Sequence, residues 1–81
     1  MEIKNDMVNE PPHYTSSKHG IECKEAIYAC LDSYDSCPPA YAWLVGQVIK
    51  YLWRAPLKGS FQEDLKKAQF YLDELIKNTE K

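Results

Sequence analysis

Four residues of one short stretch, Gln47, Lys50, Tyr51 and Arg54, carry side chains that together can hold an anionic, aromatic ligand. Their spacing is i, i+3, i+4, i+7, so on a helix they emerge side by side along about 10 Å of one face. An amide, two cations and a phenol in a row match what a nucleotide asks for. Cations meet phosphate, the planar Arg fork meets two oxygens at once, and an aromatic face meets the base. Trp43, one turn earlier on nearly the same side, offers further stacking. The stretch lies within 36–62, which holds no acidic residue and whose only charges are Lys50, Arg54 and Lys58. Lys58 joins this basic island if its loop folds back, and Gly59-Ser60 opens a helix whose amino end attracts anions. Glu63 and Asp64 in that first turn repel a phosphate unless it sits on the Lys58 side. The plainer reading is a solvated helix face whose Lys50 and Arg54 pair with acids of the next helix. If Lys50 and Arg54 hold phosphate instead, removing either should weaken binding and hardly change folding.

Other reactive residue types are sparse. His13 and Tyr14 follow Pro11-Pro12, which holds the chain extended and can lay both side chains across a neighbouring surface. His19 and Cys23 are four apart, but no further ligands converge on them, so no metal site is expected. Glu22 and Glu25 form an E-x-x-E pair like half of the magnesium site of all-α nucleotide pyrophosphohydrolases, but helix two lacks the second acidic pair. Lys58-Gly59-Ser60 has the letters of a phosphate loop in the wrong order, which excludes a conventional P-loop kinase. Cys23, Cys30 and Cys37 are odd in number and seven apart, so neither a disulfide framework nor a zinc knuckle is written here, and a reducing cytoplasm fits best.

The elements that must position these groups are helical. Cys23, Ala26, Ile27, Cys30 and Leu31 share one stripe and predict a helix over 21–32. Turn residues follow up to Pro38, and Pro39 suits the first turn of a second helix over 39–54, stopped by Pro56. On that helix Tyr41, Leu44, Val45, Val48 and Leu52 form the core side. Ala42, Gly46, Ile49 and Trp53 form a third strip between the core and the charged face. Ser60 and Glu63 spell a capping box for a third helix over 60–77, whose buried stripe is predicted as Phe61, Leu65, Ala68, Leu72, Leu75 and Ile76. Glu63 with Lys67 and Asp73 with Lys77 have the spacing of i, i+4 pairs. Residues 1–20 show neither helical nor strand period and read as an extended arm before a three-helix domain over 21–81. The second helix is apolar on more than one face, at Ala42, Ile49 and Trp53 around Gly46, and Phe70 falls off the third stripe; both predict a homo-oligomer.

Composition agrees with an all-α small domain. A chain of 81 residues supports one core. Its 44% hydrophobic and 27% charged residues are those of a folded globule. A net charge of -2 argues against general nucleic-acid binding. No apolar run suits a bilayer, and the first residues lack a signal-peptide pattern, so a cytoplasmic protein without a membrane partner is expected.

Val8-Asn9-Glu10-Pro11-Pro12-His13-Tyr14, Gly20-Ile21-Glu22, Ile49-Lys50-Tyr51-Leu52-Trp53-Arg54 with Lys58-Gly59, and Glu63-Asp64-Leu65-Lys66-Lys67-Ala68 with Tyr71-Leu72-Asp73 occur in one order. Together they resemble a family of short bacteriophage proteins, one of whose coliphage members phosphorylates deoxynucleoside monophosphates. The resemblance covers 8–76 and implies a viral, host-cytoplasmic, nucleotide-related role. It brings His13 in as a ligand contact or proton-transfer group, beside Tyr14, Gln47, Lys50, Tyr51, Arg54 and Lys58. The family usually has Gly-Asn where this chain has Gly46-Gln47, and a longer amide there changes which ligand fits. Three functions stay open. A nucleotide-binding protein, sequestering nucleotides or a host defence signal, needs only the cationic-aromatic surface. A nucleoside monophosphate kinase needs two nucleotides in line, magnesium with ATP, and charge stabilisation from Lys50, Arg54 or Lys58. A structural adaptor needs no ligand.

Overall fold

The computed structural model describes residues 19–57 and 59–80, and among these it contains three α-helices and no strand. They are α1 (Cys23–Leu31), α2 (Pro39–Arg54) and α3 (Phe61–Thr79), with 3-10 turns at Asp32–Tyr34 and Ala55–Leu57. The expected all-α class is observed, and the helix bounds lie within two residues of 21–32, 39–54 and 60–77. Of the expected arm, all but His19 and Gly20 lies outside the described residues.

Each helix begins for a local reason. At α1 the Glu22 N–H donates to Glu25 Oε1 at 2.9 Å, and the Glu22 side chain returns to the backbone of Glu25. The E-x-x-E pair is therefore a capping box. Pro38 and Pro39 start α2, where a missing N–H costs nothing. The expected Ser60 capping box does not form. Ser60 has φ -121 and ψ 51, away from the extended backbone a capping side chain needs, and makes no side-chain cap bond. The chain turns instead through Gly59 at φ 79, and the Ser60 carbonyl accepts the Asp64 N–H at 3.0 Å.

α2 is central, packed antiparallel against α3 and more lightly against α1. Two polar contacts pin the antiparallel pair at its ends. Arg54 Nε donates to Asp64 Oδ2 at 3.2 Å, and Tyr41 Oη donates to the Asn78 carbonyl at 3.4 Å. Leu44, Val45, Ala55 and Ala68 are buried between them, with Cys23 of α1. On the α1 side Gly46 leaves room for Ile27, whose Cγ2 lies 3.5 Å from where a Cβ would sit.

α3 is rotated away from its predicted face. The side turned to α2 carries Asp64, Ala68, Tyr71, Leu75 and Asn78, about 70° around the helix from the expected stripe at 100° per residue. Phe61, Leu65, Leu72 and Ile76, predicted as buried, are 56, 40, 43 and 46% exposed. The cause is Asp64, which is wholly buried and must face Arg54. Leu52 and Cys30, both read as core, are exposed as well. Ala42, Ile49 and Trp53 are half-buried, so most of the surplus apolar surface lies on α3 and not on α2.

Among the described residues the buried Asp64 Oδ1 has no hydrogen-bond partner, so Arg54 is the main compensation there for a desolvated carboxylate. Deleting one partner of such a pair costs far more than the pair's net worth. Arg54→Ala is therefore expected to lose on the order of 3 kcal/mol in urea unfolding followed by circular dichroism. The expectation that its removal hardly changes folding belongs to an Arg54 not tied to a buried acid, and the same measurement decides between the two. A loss near zero would show the pair to be solvent-shared.

Candidate functional site

The α2 and α3 faces beside the Arg54–Asp64 pair assemble a cluster centred on the ring of Tyr51. Lys50 Nζ lies 4.9 Å from the ring centroid, the Arg54 guanidinium carbon 5.0 Å, and Lys67 Nζ 5.5 Å. Three cations from two helices thus surround one phenol. Tyr51 is stacked on Tyr71, with centroids 5.8 Å apart and planes 6° from parallel. Tyr71 in turn meets Trp43 edge-on at 5.7 Å and Phe70 edge-on at 5.2 Å. Next to this cluster, between α1 and α2, a cleft of about 260 Å³ is lined by Leu31, Trp43, Gly46, Gln47 and Lys50, with Ile27 and Ala42 beside them. Trp43 and Phe70 are each 58% exposed, so two aromatic faces stand open to solvent at the edge of the cationic patch.

The helical spacing of Gln47, Lys50, Tyr51 and Arg54 does bring these residues onto one face. Their roles differ. Gln47 and Lys50 line the cleft, Tyr51 is the hub of the cations, and Arg54 is anchored through Nε to Asp64. The pairing with an acid of α3 that the plainer reading expects is present for Arg54, but with an Asp64 that is buried and not on a solvated face. Lys50 has its ammonium over Tyr51. His13, Tyr14 and Lys58 lie outside the described residues. Lys67 and Tyr71 were not singled out as site residues. Lys67, expected beside Glu63, has its ammonium near Tyr51, and its i, i+4 spacing from Tyr71 places both on the α2-facing side once the rotation of α3 is known.

Burial pushes the Cys23 thiol up from its ordinary range, partly offset by the nearby charge of Lys50. With Cys23 on the buried side of α1, this thiol is a packing group rather than a nucleophile. Among the described residues, no group of three or more His, Cys, Asp or Glu is arranged to hold a metal ion, and no helix is long and apolar enough to cross a membrane.

Residues 8–73 match the family described as a protein of unknown function, DUF3310, and since this span is most of the chain, the protein belongs to that family. No curated protein and no solved structure gives a significant match.

Tyr71 holds three rings together, and each such pair is worth about 0.5–1.5 kcal/mol beyond area burial. Tyr71→Ala is expected to destabilise by about 2 kcal/mol and Tyr71→Phe by little, in thermal melts. An unaffected Tyr71→Ala melt would mean that the ring cluster does not contribute to the fold.

Proposed function

We propose that this DUF3310 chain is a phage nucleotide-binding protein, acting in the host cytoplasm as a homo-oligomer, that sequesters a nucleotide or a host nucleotide signal. The observation that carries the reading is the convergence of Lys50, Lys67 and Arg54 on Tyr51 next to a cleft with Trp43 in its lining. The phosphate is met by Lys50 and Lys67, with Arg54 held in place by Asp64 behind them. The base stacks on Trp43 at the cleft mouth, where the Gln47 amide reads its edge. The likeness to phage nucleotide-related proteins supports the same reading.

Magnitudes favour release of the lysines to a ligand. A cation–π contact at an exposed site is worth about 0.5–1 kcal/mol, whereas a charge-assisted bond to phosphate is worth about 1.5–3 kcal/mol. The ammonium groups now over Tyr51 can therefore turn to phosphate at a net gain. The ring beneath keeps them clustered until then.

Titration calorimetry with linear mono- and triphosphates and cyclic dinucleotides tests this. Lys50→Ala and Lys67→Ala are each expected to weaken the bound nucleotide roughly 2- to 70-fold, the phosphate bond less the cation–π contact given up, and to lower the melting temperature by only a few degrees. Trp43→Ala should weaken nucleotides but not inorganic phosphate, because stacking acts on the base. No binding by any nucleotide would leave the adaptor reading. Diphosphates formed from ATP and a monophosphate would place the same face on an enzyme.

A further inference from the structure

The self-association in that reading has no surface assigned to it, and the exposed side of α3 supplies one. Gln62, Leu65, Gln69, Leu72 and Ile76 follow one another at alternating steps of three and four, the a/d seam of a coiled coil, and all five are exposed. Leu52 of α2, 51% exposed, stands beside them. Between the two helices runs an apolar groove of about 410 Å³ whose lining includes Val48, Leu52, Leu65, Ala68 and Leu72. We propose that this seam binds the same seam of a second copy, α3 against α3, antiparallel about a two-fold axis at Gln69.

The pattern's own symmetry names the occupant. In an antiparallel helix pair, opposed residues have position numbers of nearly constant sum. Leu65 then comes opposite Leu72 of the other copy, Gln69 opposite Gln69, and Ile76 opposite Gln62, with Phe61 next to that contact. Leucine meets leucine on both sides of a polar centre. The charges follow the same rule. With Gln62 at a and Leu65 at d, the e positions are Lys66 and Asp73, both exposed and opposite in sign. Antiparallel pairing sets the e side of one helix against the e side of its partner, so each Lys66 meets an Asp73 and the two contacts are equivalent. A parallel pair has no such match, because the g positions, Phe61, Ala68 and Leu75, carry no charge. The contact is isologous and closes at two copies. An unrelated partner would have no need of this internal symmetry. The proposal rests on the self-association above and not on the ligand.

Sedimentation velocity of the full chain over a micromolar to submillimolar range tests it. The wild type is expected at about twice its 9.4 kDa mass, and Leu72→Lys at the monomer mass with unchanged helicity. Lys66→Glu replaces two attractive contacts by two repulsive ones and should weaken the dimer about tenfold. Adding Asp73→Lys to it reverses both signs and should restore the dimer. These two positions are exposed, so this arm holds even if Leu72→Lys fails to fold. A monomeric wild type overturns the proposal, as does an assembly indifferent to Leu72→Lys or to the charge exchange. Nucleotide titration of the same variants should be unaltered if the two readings are separate.

Discussion

Asp64 has no exposed surface, and one of its oxygens meets Arg54 at 3.2 Å while the other has no hydrogen-bond partner among the described residues. A carboxylate in that position tolerates only arrangements that keep its cation in place, because an uncompensated buried charge costs several kcal/mol. Arg54 closes α2 and Asp64 lies in the first turn of α3, so the pair spans the loop that joins them. It sets the rotation of α3 about its own axis. The Tyr41–Asn78 bond at the far end of the two helices keeps the same register.

Two consequences follow from that rotation. Tyr71 and Lys67 are brought against α2, where they complete the ring and cation cluster around Tyr51. Leu65, Leu72 and Ile76 are turned outward. A helix set by apolar burial alone would have hidden these three and scattered the cluster. One ion pair thus trades core burial for a cluster of rings and cations on one side of α3 and an apolar seam on the other.

Much of the helical layout was legible in the residues themselves. Prolines and turn residues bounded α2, and the i, i+3, i+4, i+7 spacing put Gln47, Lys50, Tyr51 and Arg54 on one face. What failed was the phase of α3. Its apolar residues mark a clear stripe, and nothing in that periodicity shows that a buried aspartate overrides it. For the same reason Lys67 and Tyr71 were missed: their side of the helix looked like solvent until Asp64 was known to face inward. Ser60 and Glu63 had the right types for a cap, but Gly59 leads into Ser60 at a backbone angle that prevents it. Glu22 and Glu25 looked like ligands by type, and their geometry makes them a helix start. Residue type proposed the chemistry, while backbone direction decided which of it was realised.

On the proposed reading, a nucleotide is held where α2 and α3 bring their cations and rings together. The most direct measurement is a nitrogen–proton correlation spectrum of the labelled protein during nucleotide titration. The largest shifts are expected on Gln47, Lys50, Tyr51, Lys67 and Tyr71, with the Trp43 indole, while the seam residues Leu65, Gln69, Leu72 and Ile76 stay unmoved. Shifts confined to the seam, or an unchanged spectrum at saturating nucleotide, would contradict it.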